Sequence, residues 1–226
     1  MPGHILVINP NSSATVTAGI DAAVEPLRLP GGPTIECLTL AEGPPGIETQ
    51  ADIEAVVLPL AGVVQARADA DACVIACFSD PGLQLCRERS GKPVFGIAEA
   101  GMLVALVRGQ RFGLLSTLER SIPRHLRYVR QLGLWQRFAG DRAIGTGVAG
   151  LARDDAAILG RMTDVGQRLV RDDGADVLVL ACAGMARFRQ PLGETLGVAV
   201  VEPTQAAVTL ALGAVRLSAG AAIAPA

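Results

Sequence analysis

The sequence has few aromatic residues, a single lysine and no block of basic residues. Phe, Trp and Tyr make up 3% of the 226 residues, and the formal net charge is −2. We therefore expect neither nucleic acid nor an anionic membrane as a partner, because both are bound through basic patches. Lys92 stands directly before Pro93, so the lysine of a Schiff-base enzyme or of a phosphate-binding Gly-rich loop is missing.

Long hydrophobic runs are also missing. The longest, near 55–64 and 177–186, have about ten residues each, which is too short to span a bilayer. Residues 1–7 lack the basic segment and apolar run of a signal peptide. The five cysteines are an odd number without a Cys-x-x-Cys pair or clustered Cys/His spacing. We predict reduced thiols in a cytoplasmic protein, with no disulfide and no metal site.

Short apolar runs alternate with longer segments of helical period, in four βα units followed by four more. Strands without alternating polarity are buried on both faces, which is typical of parallel sheets covered by helices. The sequence therefore predicts an α/β fold of two similar lobes, each a four-stranded parallel sheet flanked by helices, related by a pseudo-twofold axis with the active site between them. The predicted strands are His4–Pro10, Thr34–Leu40, Ala72–Cys77, Val94–Ala98, Phe112–Ser116, Ala143–Gly147, Val177–Ala181 and Val198–Val201.

The two halves resemble each other in sequence. The segment Ala70–Cys77 is identical to Ala175–Cys182 at five of eight positions, which places a cysteine at the end of equivalent strands. We assign residues 1–108 to the first lobe and 109–202 to the second. We expect the C-terminal helix, about residues 203–217, to pack back on the first lobe, and residues 218–226 to form a flexible tail.

Ligands of open parallel sheets bind at the carboxyl ends of the strands. Cys77 and Cys182 stand at two such ends and would face one cleft from opposite sides. A racemase removes a proton from one face of a carbon and returns one to the other face, so it needs two acid/base groups, here a thiolate and a thiol. We predict a helix beginning at Pro81, whose N-terminus would favour a Cys77 thiolate. The neighbouring small polar or backbone-donating candidates for substrate binding are Asn11, Ser12, Ser79, Thr117, Ala183 and Gly184.

Other interpretations of these residues stay open. A strand-end cysteine is more often part of the core than catalytic, but two at matched positions favour a function. Glu48 and Glu202 are further possible site residues, and a carboxylate such as Glu202 caps the next helix about as often as it acts as an acid or base. We interpret His4 and His125 as surface residues. Three further cysteines lie within predicted strands or a predicted helix, and we interpret them as structural: Cys37, Cys73 and Cys86.

The sequence resembles the aspartate/glutamate/hydantoin racemase superfamily, and most closely its hydantoin racemase branch, which includes allantoin racemases. The resemblance implies a cofactor-independent racemase in which Cys77 and Cys182 form the base pair, with a pocket touching Asn11, Ser79 and Thr117. Hydantoin racemases tend to have Asp-Gly where this chain has Glu202-Pro203. The matching segments are Ile8–Ser13, Glu42–Pro44 with Ile47–Glu48, Ile75–Leu83, Pro93–Ala100 and Cys182–Met185.

We expect the substrate to be a small cyclic ureide. A 5-monosubstituted hydantoin is the first choice, allantoin or another isomerase substrate of the superfamily the second, and a non-catalytic ligand-binding module the alternative of another class. The amino-acid racemases of the superfamily carry Cys-Asn-Thr and Cys-Thr-His at the two cysteines. This chain has Phe78-Ser79 and Ala183-Gly184 there, so a free amino acid is disfavoured. We expect a homo-oligomer.

Overall fold

The computed structural model describes residues 3–151 and 154–219. In this part of the chain two parallel four-stranded sheets are flanked by helices, which confirms the predicted α/β class. The elements are β1 (His4–Asn9), α1 (Ala14–Val24), β2 (Thr34–Thr39), α2 (Gln50–Ala55), α3 (Val57–Ala66), β3 (Ala72–Ile75), α4 (Leu83–Ser90), β4 (Val94–Gly96), α5 (Ile97–Leu106), β5 (Phe112–Ser116), α6 (Ile122–Gln131), β6 (Phe138–Ala143), α7 (Asp155–Arg171), β7 (Val177–Leu180), α8 (Arg189–Leu196), β8 (Ala199–Val201) and α9 (Pro203–Ala219).

The two sheets have the same topology. The strand orders are β2-β1-β3-β4 and β6-β5-β7-β8, and all neighbouring strands are parallel. The central strands β1, β3, β5 and β7 carry nearly unbroken apolar runs that are buried on both faces, as parallel strands between two layers of helices must be. In each lobe the two central strands therefore end at the same edge of the sheet.

Helix α9 belongs to the end of the chain but packs against α5, α1 and β3 of the first lobe. The approach is close at Gly101 of α5, where a Cβ atom would come within 2.9 Å of Pro203. Helix α5 also contacts β5 and β7 of the second sheet. One apolar core therefore continues from the first sheet through α5 and α9 to the second, and this shared layer holds the two lobes together.

Local sequence explains where several helices begin. Ser13 accepts the Val16 N–H at 3.3 Å at the start of α1, and Asp154 accepts the Ala157 N–H at 3.0 Å at the start of α7. Thr49 and Asp52 form a capping box at the start of α2. Each side chain satisfies a backbone N–H that has no partner inside the helix.

The structure corrects several predicted boundaries. The helix expected over 50–67 divides at Val56 into α2 and α3. Pro59 explains the break, because its ring would clash with the Ala55 carbonyl in a continuous helix and is tolerated in the first turn of a new one.

The strand expected at Ala143–Gly147 lies instead at Phe138–Ala143. It is an edge strand with polar residues such as Asp141 and Arg142, so it lacks the apolar run of the other strands. Residues 218 and 219, expected in the tail, continue α9. The rest of the predicted tail, 220–226, lies outside the described residues. No helix in the described ranges has the length and apolar character needed to cross a membrane.

Candidate active site

A cleft lies between the two lobes at the carboxyl ends of the central strands, and both Cys77 and Cys182 line it. Cys77 follows β3 and Cys182 follows β7, which occupy equivalent places in the two sheets. Backbone and side chains of both lobes form the wall. Its residues are Asn11, Val16, Ile47, Ala76, Cys77, Phe78, Ser79, Thr117, Ser121, Arg124, His125, Val148, Ala181, Cys182, Ala183 and Gly184.

The two cysteines have equivalent backbone surroundings. The Ser79 N–H lowers the pKa of the Cys77 thiol, and the Gly184 N–H lowers that of the Cys182 thiol. The Cys77 carbonyl accepts the Asp80 N–H at 3.0 Å, and the Cys182 carbonyl accepts the Met185 N–H at 3.1 Å. Each thiol therefore sits at the start of a tight turn whose amide two residues later stabilises a thiolate.

Burial raises the pKa of both thiols, while the neighbouring charges differ between them. Burial raises the pKa of Cys77 to about 12, against the Ser79 N–H and the positive charge of Arg124, which both lower it. Burial raises the pKa of Cys182 to about 11, where the Gly184 N–H lowers it and the negative charge of Glu202 raises it further. Without a ligand both groups are thus held as thiols, and only local donors and Arg124 favour ionisation.

The turn after Cys77 differs from the predicted one. Helix α4 begins at Leu83, after Gly82 in the left-handed conformation with φ 66°, so Pro81 does not start it. Asp80 also has a positive φ, 43°. Its buried carboxylate accepts the Ala98 N–H at 2.9 Å and the Glu99 N–H at 2.8 Å at the start of α5, which anchors the turn.

Asn11 presents a hydrogen-bond donor to the cleft. Its Oδ1 accepts the Ser13 N–H at 2.9 Å and the Asn9 Nδ2 at 3.0 Å, which identifies Oδ1 as the inward-held atom. The Asn11 Nδ2 has no partner among the described residues and remains for a ligand. Thr117, Ser121 and Arg124 add hydroxyl and guanidinium donors on the opposite wall, so the cleft suits an uncharged or anionic carbonyl compound.

Arg124 connects the second lobe to the loop that follows β2. Its Nη2 donates to the Glu48 carbonyl at 3.2 Å and to the Ser121 hydroxyl at 3.2 Å. The Glu48 carboxylate is ion-paired with Arg120 and accepts the Val148 N–H at 3.0 Å. These contacts join the loop around Ile47 to the second lobe across the cleft.

Possible metal ligands meet at one place in the described ranges, His4, Glu36 and Asp69. Arg67 donates to both carboxylates at 2.6–2.9 Å, so a guanidinium already pairs with the two acidic members of the group. This cluster lies at the amino end of β1, whereas Asn9 at the carboxyl end of the same strand leads to the cleft. It is separate from the site.

Comparison with known proteins gives the family. Residues 5–211 match the family model described as Asp/Glu/Hydantoin racemase. The chain is 37% identical over 220 residues to a hydantoin racemase of Paenarthrobacter aurescens, covering 95% of this chain and 92% of that one. It superposes on allantoin racemase from Klebsiella pneumoniae with a TM-score of 0.90 at 32% identity, covering 96% and 89% of the two chains. For allantoin racemase from Pseudomonas fluorescens the TM-score is 0.91 at 30% identity, covering 95% and 92%.

The chain belongs to the Asp/Glu/hydantoin racemase family. It lies in the hydantoin and allantoin racemase branch and is an isomerase of the racemase type. This confirms the resemblance that the cysteine segments indicated.

The structure brings most of the predicted site residues of this racemase to the cleft. Seven of them line it: Asn11, Cys77, Ser79, Thr117, Cys182, Ala183 and Gly184. Ser12 does not, because its N–H donates to the Pro44 carbonyl and its side chain is exposed. Glu48 is engaged in the loop contacts above. Glu202 is buried and accepts the Thr204 and Gln205 N–H groups, so it caps α9.

His125 is a correction to the interpretation from sequence. It was expected at the surface but is 6% exposed and lines the cleft, and its Nδ1 lies 2.7 Å from Asp141 Oδ2. The spacing of Ser121, His125 and Val129 could have predicted that His125 is buried. These residues are four apart, so they share one face of a helix, and the apolar member marks that face as inward.

Proposed function

We propose that the racemase inverts 5-monosubstituted hydantoins by proton transfer between Cys77 and Cys182, without a cofactor. The observation that carries the proposal is that both thiols line one cleft, each from the equivalent turn of its own lobe. A two-base inversion needs an acid on one face of the reacting carbon and a base on the other. Duplicated lobes that face each other supply such a pair.

The chemistry of a hydantoin suits this cleft. The hydrogen on its C5 carbon is acidified by the adjacent carbonyl, so deprotonation gives an enolate. In the reacting form one of the two thiols has lost its proton to solvent; this thiolate takes the C5 hydrogen as a proton, and the C5–H electron pair moves into the enolate. The opposite thiol then donates its proton to the other face of C5 and becomes the thiolate. Donors on the wall, the Asn11 amide, the Thr117 hydroxyl and the Arg124 guanidinium, favour this path by stabilising negative charge on oxygen.

The Ser79 and Gly184 N–H groups favour the thiolate forms of the two cysteines. In the proposed reaction the Ser79 N–H would stabilise a Cys77 thiolate and the Gly184 N–H a Cys182 thiolate, whichever of the two has lost its proton.

Allantoin is the second candidate substrate. It is also a hydantoin with one hydrogen on C5, and two similar structures are of allantoin racemases. Incubating one enantiomer of 5-benzylhydantoin and one of allantoin in heavy water, followed by polarimetry and proton NMR, separates the candidates. We expect loss of optical rotation together with loss of the C5 hydrogen signal, faster than in a protein-free control. Binding without exchange of either compound would instead indicate a ligand-binding module.

We further propose that the protein acts in the cytoplasm as a homo-oligomer. All five cysteines are free thiols in the structure. Large exposed apolar side chains support self-association, and four of them lie on or next to the two packed helices α5 and α9: Leu103, Val107, Leu210 and Leu217. Light scattering coupled to gel filtration gives the mass of the species in solution. A monomer at micromolar concentration would contradict this part of the proposal.

A further inference from the structure

Ser116, His125 and Asp141 form a buried polar cluster in the wall of the cleft. Ser116 ends β5, His125 lies on α6, and Asp141 lies on the edge strand β6. The His125 Nδ1 is 2.7 Å from Asp141 Oδ2 and 3.2 Å from the Ser116 Oγ. The Ser116 hydroxyl donates to Asp141 Oδ1. The Asp141 side chain has no exposed surface, so its two oxygens are hydrogen-bonded by these two partners and not by water.

The contacts fix the position of the ring hydrogen. A carboxylate only accepts hydrogen bonds, and the Ser116 hydrogen is given to Asp141. The hydrogen between His125 and Asp141 must therefore be on Nδ1. In the neutral imidazole the other ring nitrogen, Nε2, then carries the free lone pair, and the contact of Nδ1 with the carboxylate favours this tautomer.

The Nε2 atom is not used by the protein. It makes no hydrogen bond to the described residues. It is also not fully buried, because the only buried side-chain atoms without a partner among these residues are Arg124 Nε and Thr204 Oγ1. The ring lines the cleft beside Cys77, and Phe78 packs against it edge-on at 5.4 Å between ring centres. The ring is thus held by Asp141, Ser116 and Phe78, and Nε2 is its one nitrogen without a partner among the described residues.

We propose that His125 contacts the substrate through Nε2, accepting a hydrogen bond from a ring N–H of a cyclic ureide, and that Asp141 is a positioning residue that sets its tautomer. The inference rests on the proposed function, because a cyclic ureide presents N–H groups beside the reacting carbon. Ser116 completes the support by occupying the second carboxylate oxygen. The cleft would thereby discriminate cyclic amides and ureides from compounds that only accept hydrogen bonds.

The chain has two histidines, His4 and His125, so nitrogen NMR of the ¹⁵N-histidine-labelled protein resolves each ring. His4→Asn assigns the spectrum, and His4 itself is the internal control, because it lies at the opposite end of β1. The probe is unsubstituted hydantoin, which has two hydrogens on C5 and gives no new product on exchange. We expect the His125 Nε2 signal to move on saturation, while the Nδ1 signal and both His4 signals stay in place.

Two results of the titration would separate this inference from the proposed function. If hydantoin binds by calorimetry and the His125 Nε2 signal does not move, the contact is wrong while the racemase proposal stands. If the signal moves but neither hydantoins nor allantoin are inverted, the contact stands and the proposed reaction fails. Absence of binding together with absence of inversion overturns both.

Kinetics of two substitutions test the same contact. His125→Asn retains a side-chain amide near the Nδ1 position but removes Nε2, whereas His125→Gln places an amide near the Nε2 position. We expect kcat/KM to fall by about 10–100-fold in the first, on the usual worth of one hydrogen bond at a reacting ligand, and to recover in part in the second. Asp141→Asn should lower kcat/KM and shift the His125 nitrogen signals toward the other tautomer. A folded His125→Asn variant with unchanged kcat/KM would overturn the inference.

Discussion

The Tyr128 hydroxyl donates a hydrogen bond of 2.9 Å to Asp80, across the boundary between the lobes. Tyr128 lies on α6 of the second lobe, and Asp80 lies in the turn that begins at Cys77 of the first. The same carboxylate receives two N–H groups at the start of α5. One buried side chain thus connects the Cys77 turn, the shared helix layer and the second lobe.

Asp80 makes the stability of the fold depend on pH. Burial raises its pKa to about 7 from an ordinary value of 3.8, although its three donors favour the ionised form. With the folded pKa raised, the native state binds more protons than the unfolded state between these values. The stabilising contribution is therefore complete below pH 3.8 and is lost as the pH rises toward 7.

We expect the unfolding free energy of the wild type to fall between pH 5 and 7 relative to Asp80→Asn, by at most about 1.4 kcal/mol per pH unit. Urea unfolding of both proteins at pH 5, 6, 7 and 8 measures the difference in slope. The comparison removes other buried acids such as Glu202, which are present in both proteins. Parallel curves would show that Asp80 does not titrate in this range.

A substitution at Gly96 tests how closely the backbone approaches the Asp80 side chain. A Cβ atom at this position would overlap the Asp80 carboxylate, whereas a Cβ at Gly62 in α3 meets nothing within 4 Å. Gly96→Ala should lower the unfolding free energy by about 1–3 kcal/mol and reduce activity by displacing the turn. Gly62→Ala is the matched control and should raise stability by about 0.5–1 kcal/mol with full activity. Thermal unfolding and initial rates measure both, and equal effects at the two positions would contradict the assigned packing.

Sequence patterns predict the parts of this fold that depend on burial. The central strands can be predicted because their burial on both faces requires apolar runs. The two cleft cysteines can be predicted because each repeated segment ends in one. The position of the edge strand β6 cannot be predicted in this way, because its residues are half-exposed and show no apolar run. Arg142, for example, forms an ion pair with Asp173. The role of Asp80 could not be predicted, since Tyr128 is 48 residues away and meets it only after the lobes have packed.

Glu48 holds the loop around Ile47 at the cleft. We therefore expect its charge to affect substrate binding, measured by KM, more than the chemical step, measured by kcat. It is ion-paired with Arg120 and accepts the Val148 N–H. Glu48→Gln should raise KM by up to about 5-fold, on the worth of a partly exposed ion pair, with kcat little changed. Asp21→Asn breaks the surface pair with Arg28 and is the control. Steady-state kinetics decide the point: an unchanged KM, or a fall in kcat alone, would mean that the loop contact does not control binding.

The central claim is that each thiol serves one face of the reacting carbon, and proton exchange in Cys77→Ser and Cys182→Ser tests it most directly. Both enantiomers of one hydantoin are followed in heavy water for inversion by polarimetry and for exchange by NMR, with Cys37→Ser, which changes a strand cysteine outside the cleft, as the control. We expect inversion to fall by roughly 10²–10⁴-fold in each of the two variants. Exchange without inversion should persist for one enantiomer in Cys77→Ser and for the opposite enantiomer in Cys182→Ser. A variant that still inverts at the wild-type rate would contradict the two-base account.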